Sequence, residues 1–205
     1  MLSPRSAIIN RIMTLRDAGQ ANLAYFYFDL RDEYKQDVRK LLTSLLIQLS
    51  ASSSACRKII SRLYSKHGNG TQKPGNEALT SCLKEALLLA ADHPTYIILD
   101  ALDECPDISG MSTPREVVLD FVEDLVRQRL PNVRICVTSR PEINIKAVLE
   151  PLTTHAISIH EETGQNEDIT NYICSVVSSD RKLRCWLDED KKLVVEVLSE
   201  RADGM

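Results

Sequence analysis

The stretch that decides the fold is TYIILDALDEC, residues 95–105. It begins as an uninterrupted apolar run and ends in three nearby carboxylates, Asp100, Asp103 and Glu104. Because the run does not alternate, it predicts a strand buried on both faces, as parallel strands covered by helices are. Acidic groups this close repel one another unless a cation or a basic group neutralises them. A magnesium ion carried by a nucleotide phosphate would do so.

A second stretch, NVRICVTSRP at residues 132–141, predicts another short buried strand that ends in polar residues. The carboxyl ends of parallel strands form the crevice in which α/β proteins bind ligands. We therefore expect Thr138, Ser139 and Arg140 to lie at the same edge of the sheet as Asp100. Arg140 would then be placed to bind a phosphate bidentately.

Helical and strand patterns alternate along the chain, which predicts an α/β fold with a mainly parallel sheet. A further strand is predicted at 23–28, where three aromatic residues in a row favour sheet over helix, and another strand is predicted at 154–159. Thr113 and Pro114 predict the start of one helix and Asn76 the cap of another. Helices are predicted at 6–18, 33–49, 55–66, 76–91, 114–129, 142–149, 165–177 and 189–200.

Composition limits the function classes. The chain has 205 residues, enough for one domain or one and part of a second. Its formal net charge is −4 and no run is dense in lysine or arginine, which argues against nucleic acid as the main partner. No apolar segment approaches the roughly 20 residues of a membrane span, and no signal region precedes the first helix. We expect a cytoplasmic protein with no membrane partner.

The six cysteines show no zinc-binding or CxxC spacing. Cys82, Cys136 and Cys174 lie in apolar patterns and are predicted to be small core residues. Cys105 follows the acidic residues, so the sequence leaves open whether its thiol is exposed. No histidine is near it in the sequence to activate it as a nucleophile.

Three segments carry a family resemblance. YIILDALDEC (96–105) resembles the Walker B segment of the NACHT and related STAND nucleotide-binding ATPases, and RICVTSRPE (134–142) is similar to their sensor 1 strand. NLAYFYFDLRDEYKQDVRKLLTSLLIQL (22–49) resembles the second strand and following helix of the fungal members, which are described as having a nephrocystin 3-like N-terminal domain. The resemblance extends from about Ile8 to the end of the chain.

The resemblance implies a three-layer P-loop NTPase-like core at 1–162 and the start of a helical or winged-helix-like region at 163–205. One family feature is absent, because no G-x-x-x-x-G-K-[ST] phosphate loop occurs in the sequence. In the family this loop precedes a helix similar to residues 6–13, so we expect a truncated chain without the loop and its strand. The sheet should then have a vacancy, or the strand at 154–159 should be shifted inward or detached.

The resemblance also implies a chemistry for the edge of the sheet. ATP or GTP would bind there with Mg²⁺, which Asp100 would hold through water. Asp103 or Glu104 would act catalytically by orienting or deprotonating the attacking water. Arg140 would sense the terminal phosphate, so that hydrolysis acts as a signalling switch. The residues implied to contact the nucleotide and its metal are Asp100, Thr138, Ser139 and Arg140.

Three functions remain open from the sequence. Without the phosphate loop, we expect a fragment of a NACHT signalling NTPase that binds and hydrolyses ATP or GTP weakly or not at all. An alternative is a non-catalytic module that docks on complete NACHT relatives as a homo- or hetero-oligomer. The third is a magnesium-dependent phosphohydrolase that uses Asp100, Asp103 and Glu104. A simpler interpretation gives these acids no chemistry, with Asp100 capping a turn and the other two starting a solvated loop.

Overall fold

A computed structural model of the chain describes residues 4–90, 92–107, 113–158, 165–183 and 185–201. The chain divides into two compact units, Met1–Thr153 and Thr154–Met205. The first unit contains α1 (Pro4–Asp17), β1 (Asn22–Tyr27), α2 (Val38–Ser52), α3 (Ser54–Lys66), α4 (Asn76–Leu89), β2 (Thr95–Asp100), α5 (Pro114–Arg127), β3 (Val133–Val137) and α6 (Ile143–Leu149). The second unit contains α7 (Gln165–Ser179) and α8 (Asp188–Arg201).

The first unit is built on a parallel sheet of three strands in the order β1-β2-β3. Tyr27 lies beside Asp100 in the register of β1 and β2, and Leu99 lies beside Val137 in that of β2 and β3. The central strand is buried along both faces, as its unbroken apolar run predicts. The predicted α/β class and parallel sheet are confirmed.

Helices cover the two faces of the sheet unequally. On one face, Ile97 and Leu99 pack into a large apolar cluster with residues of α2, α4 and α5, and α3 packs outside α2 and α4. On the other face, Ile98 and Leu23 contact only a small cluster with Ile9 and Ile12 of α1. The apolar stripes of these helices therefore face the sheet from both sides, and the carboxyl ends of the strands are left to the loops.

Two helix starts differ from the sequence prediction. The helix predicted from residue 33 begins at Val38, because the Asp37 side chain accepts the Arg39 N–H and caps it there. Asn76 is the first helical residue of α4 and not its cap, since Gly75 occupies the capping position without a side chain. The start of α5 is as predicted, with Thr113 as cap.

The strand predicted at 154–159 is not found in the part of that range that the structure describes. Residues 154–158 belong to no strand, and residue 159 lies outside the described residues. β-Branched residues favour extended backbone, but a strand also needs a neighbour to complete its hydrogen bonds. Nothing in the described ranges extends the sheet beyond β3.

The second unit consists mainly of α7 and α8, which pack against each other. The Thr170 Oγ1 donates a hydrogen bond to the Ser199 Oγ at 3.2 Å, and Val177 is buried. Cys174 is exposed, so its prediction as a core residue is wrong. Among the described helices of both units, none has the length and apolar character that crossing a membrane requires.

Candidate functional site

The carboxyl ends of β2 and β3 meet, and the loops that follow them are bonded to each other. The Thr138 N–H donates to the Leu99 carbonyl at 2.9 Å, and the Leu102 N–H donates to the Thr138 carbonyl at 2.9 Å. Parallel pairing therefore brings Thr138 beside Asp100, the juxtaposition expected from the two strand endings.

A hydroxyl fixes the carboxylate of Asp100. The Thr138 Oγ1 donates to Asp100 Oδ1 and accepts the Ala101 N–H at 3.0 Å. Because its one hydroxyl proton is committed to the carboxylate and its oxygen to a backbone donor, Thr138 holds Asp100 in a single orientation. Asp100 is buried at the carboxyl end of β2.

The backbone turns sharply at Ala101, which has φ +56° and ψ +50°. This left-handed conformation is uncommon for a residue with a Cβ. The turn sends Leu102 into the apolar core and brings Asp103 toward the loop after β3. Strained backbone of this kind is concentrated at functional sites, where surrounding contacts maintain it.

We expect Ala101→Val to lower the free energy of unfolding by about 2 kcal/mol, because a β-branched side chain is disfavoured in this region and the site is buried. Ala101→Gly should match or exceed the parent in stability, since glycine adopts this conformation without a steric cost. Urea unfolding of the three proteins checks this. Equal stability of the valine variant would contradict it.

Asp103 and Arg140 bind each other. The Arg140 N–H donates to Asp103 Oδ1 at 3.0 Å, and the Arg140 Nε lies 3.4 Å from Asp103 Oδ2. The Asp103 side chain is 7% exposed, whereas that of Arg140 is 80% exposed. Asp103 is thus held inside the edge, and the guanidinium of Arg140 remains accessible to a ligand. The exposed Ser139 hydroxyl donates to the Arg140 carbonyl at 2.7 Å.

Glu104 turns away toward the loop after β1. Its Oε2 accepts the Leu30 N–H at 3.2 Å. In the same loop, hydrogen bonds from the backbone and side chain of Arg31 hold the pKa of Asp29 below its usual value. The three carboxylates therefore diverge to three sets of partners within the chain, and one of these partners is a basic group, the guanidinium of Arg140 beside Asp103.

Arg115, which the sequence reasoning missed, is the buried cation beneath the acidic loop. Its Nη2 donates to the Asp103 carbonyl at 2.6 Å and its Nε to the Cys105 carbonyl at 3.0 Å. Its Nη1 donates to Glu142 and lies 3.5 Å from Asp107 Oδ2. The signal was present in the sequence, because Arg115 precedes Val118 and Leu119 by three and four residues and so shares the buried face of α5.

The side chains at the ends of β2 and β3 determine which mode of metal binding is compatible with this site. Within the described ranges, no three His, Cys, Asp or Glu side chains converge as a metal site. Mg²⁺ commonly keeps several waters and is bound by one or two carboxylates together with substrate phosphates. A single oriented carboxylate, Asp100, fits that mode of binding, and a site built from protein ligands alone does not.

Cys105 is fully buried, which settles the question of its exposure. Burial raises the pKa of its thiol to about 12. Burial and the nearby Asp100 also raise the pKa of Cys136, which is half-buried. A thiol with so high a pKa supplies almost no thiolate at neutral pH, so Cys105 is a core residue and not a nucleophile.

We expect iodoacetamide at pH 8 to label Cys174 and Cys185, which are exposed, at least ~100-fold faster than Cys105. Mass spectrometry of peptides from the native protein measures the three rates. Labelling in urea should make them similar. Fast labelling of Cys105 in the native protein would contradict its burial.

A match to one family model identifies the family of this chain. The model of the family described as "Nephrocystin 3, N-terminal" matches residues 5–140. The chain belongs to the nephrocystin 3 N-terminal family. The family match contains the whole sheet and ends at Arg140, so it includes Asp100, Asp103, Glu104 and Thr138. No curated protein and no solved structure matches the chain.

Proposed function

We propose that the first unit is part of a NACHT-type nucleotide-binding domain, and that the ends of its strands sense the metal ion and the phosphate. We further propose that this chain alone does not bind ATP or GTP tightly. The observation that supports the proposal is the cluster at the ends of β2 and β3. There, Asp100 is oriented by Thr138, and Asp103 is paired with an accessible Arg140. The family match, which contains all four residues, agrees with a NACHT-related origin.

In a complete nucleotide-binding domain, Asp100 would hold through water the Mg²⁺ ion that accompanies the nucleotide. The ion would neutralise phosphate charge during transfer. Thr138 keeps the Asp100 carboxylate in one orientation, so that binding the hydrated ion requires little reordering. Asp103 and Glu104 remain the proposed residues for orienting the attacking water, with Ser139 at the exposed rim.

Arg140 is the proposed phosphate sensor. A terminal phosphate offers its guanidinium more negative charge than Asp103 does, so Arg140 would exchange one anion for the other. The Arg140 carbonyl accepts the Glu142 N–H at 2.8 Å, and the Glu142 side chain binds Arg115. Movement of Arg140 would therefore be transmitted through Glu142 to the start of α6 and to the loop that Arg115 holds.

The proposed lack of nucleotide binding rests on the missing phosphate loop. Such a loop surrounds the phosphates with backbone N–H groups and adds a lysine. In this edge the carboxylates would repel a triphosphate, and the exposed arginines near them, Arg140 and Arg31, are already paired with Asp103 and Asp29. Exposed arginines that already pair with carboxylates are a weak site for a phosphate in water.

A graft tests the proposal. A strand and G-x-x-x-x-G-K-[ST] loop, joined before residue 4, should raise the affinity for Mg-ATP or Mg-GTP at least ~100-fold, about 2.7 kcal/mol. Asp100→Asn in the graft should reduce magnesium-dependent phosphate release, and Asp120→Asn, at an exposed position of α5, is the matched control. A folded graft with no gain in affinity would overturn the proposal.

A further inference from the structure

Helices α2, α3 and α4 form an apolar groove at the surface of the first unit. Leu46 and Leu79 line it and are buried, whereas Ile47 and Tyr64 line it with 62% and 56% of their surface exposed. The groove has a volume of about 210 Å³, and its lining is almost entirely apolar. None of its lining residues belongs to the site at the ends of β2 and β3. Exposed apolar side chains around a concave surface are typical of a binding site.

One side of the groove is formed by the loop at residues 67–74, which lies against the ring of Tyr64. Gly70 has φ +90°, and a Cβ added to it would lie 2.6 Å from Tyr64 Cε2. The main chain therefore contacts the ring directly, in a conformation that favours glycine. The Gln72 N–H donates to the His67 carbonyl at 3.1 Å, which closes the loop onto the end of α3. Because these contacts already shape the groove, a ligand would bind it with little ordering of the chain.

The segment that forms most of this groove has an uneven charge balance. Residues 38–76 contain seven lysines and arginines and no aspartate or glutamate, although the whole chain has a net charge of −4. Arg62 pairs with Glu85 of α4 at 3.0 Å. Positive charge is thus concentrated on the two helices and the loop that surround the groove.

Two of these lysines are next to the groove. Lys73 lies between two lining residues, Gln72 and Pro74, and Lys66 comes directly before a third, His67. Both lysines are exposed, and no carboxylate in the described part of the chain forms an ion pair with either of them. Cations placed in this way around an apolar groove favour a partner in which carboxylates flank apolar side chains.

The concave shape favours a helix over a lipid surface. Amphipathic helices bind by placing the side chains of one apolar face into a groove. Lipid surfaces instead receive apolar side chains that project from a protein. A cavity of about 150 Å³ holds a benzene molecule, so this groove is large enough for one aromatic side chain or a leucine. A second copy docking by the same face would bring positive charge against positive charge, which disfavours self-pairing.

We propose that the groove between α2, α3 and the loop at 67–74 binds an acidic amphipathic helix of another protein. Its bulky apolar side chains would contact Ile47 and Tyr64, and its carboxylates would pair with Lys66 and Lys73. The inference rests on the shape and charge of this groove and is independent of the proposed nucleotide chemistry.

The test uses the full chain and three synthetic peptides with fluorescent labels. The first is Glu-Glu-Leu-Glu-Glu-Ala-Phe-Glu-Glu-Leu-Glu-Glu, which places its leucines and phenylalanine on one face of a helix. The second replaces each glutamate with lysine, and the third replaces the leucines and the phenylalanine with alanine. Fluorescence anisotropy should show that the first peptide binds at least ~10-fold tighter than either of the others.

A charge reversal identifies the lysines that bind the peptide. The double variant Lys66→Glu, Lys73→Glu should bind the lysine peptide in preference to the glutamate peptide, and it should fold because both positions are exposed. The matched control is Lys146→Glu, Lys192→Glu, which changes the net charge equally at exposed positions of α6 and α8. This control should keep the preference of the parent protein.

A second variant tests the apolar part of the groove. Ile47→Ser should weaken binding of the glutamate peptide at least ~10-fold, because it removes an apolar wall at an exposed position. Leu88→Ser is the matched control, since Leu88 is also exposed, at 56%, but does not line the groove. Amide chemical shifts should change on binding in residues 43–47 and 60–72.

Four results would overturn the proposal. The first is equal affinity for all three peptides, and the second is no saturable binding of the glutamate peptide up to about 1 mM. The third is binding to phosphatidylserine vesicles that is lost in Ile47→Ser while the peptide does not bind, since a lipid surface would then be the ligand. The fourth is a concentration-dependent dimer of the parent protein that Ile47→Ser abolishes, since a second copy would then occupy the groove.

Discussion

Replacing Arg115 with leucine is expected to lower the free energy of unfolding by about 3 kcal/mol. The arginine is 7% exposed and donates to two main-chain carbonyls in the acidic loop, those of Asp103 and Cys105. Leucine keeps much of the buried volume but donates nothing, so both carbonyls lose charge-assisted hydrogen bonds worth roughly 1.5–3 kcal/mol each. Glu142 and Asp107 are partly exposed and are rehydrated, so their loss adds little.

Urea unfolding of the full chain measures this change. Arg127→Leu is the matched control, because Arg127 lies on the same helix but is exposed and pairs with Glu123 at the surface. The control should stay within about 0.5 kcal/mol of the parent. A loss below about 1 kcal/mol for Arg115→Leu would show that the acidic loop keeps its shape without the arginine.

The second large effect is the absence of tight nucleotide binding. Mg-ATP and Mg-GTP are expected to bind this chain no tighter than about 1 mM, which corresponds to about −4 kcal/mol. Asp100, Asp103 and Glu104 repel a triphosphate, and Arg140 begins paired with Asp103, so its contact with a phosphate must replace an existing ion pair. Isothermal titration calorimetry of the full chain measures the affinity.

The sheet and the proximity of Thr138 to Asp100 could be predicted from the sequence, because both depend on local patterns. The apolar run before Asp100 fixed a doubly buried strand, and the parallel arrangement then placed Thr138 near that carboxylate. Both inferences need only the burial pattern of each strand and the rule that parallel strands end at the same edge.

The partners of the acidic residues could not be predicted in the same way. The left-handed turn at Ala101 sets where Asp103 points, and a single alanine in the sequence carries no signal for that conformation. Arg115 comes twelve positions after Asp103 and belongs to α5, so their contact depends on how α5 packs. Counting charges indicated that a cation or a basic group was needed, but it could not show that Arg140, Thr138 and the Leu30 N–H of the chain itself bind the three acids.

The strand predicted at 154–159 shows a different limit. Local composition favours extended backbone there, but residues 154–158 gain no strand partner in the structure. Strand formation is decided by pairing, which a single segment does not encode. The prediction that Cys174 is a core residue was wrong for a related reason. A helical apolar pattern predicts which residues share a face, whereas their exposure depends on what covers that face.

The most direct test of the account is a calorimetric titration of the full chain with Mg-ATP and, separately, Mg-GTP. Arg140→Ala is the control for any weak contact of the phosphate with the exposed guanidinium. We expect no saturable heat up to about 1 mM nucleotide for the parent protein. A dissociation constant near 10 μM or below, about −7 kcal/mol, would contradict the proposal. The proposal is that this chain has the residues that sense the metal ion and the phosphate but lacks the loop needed to bind a triphosphate tightly.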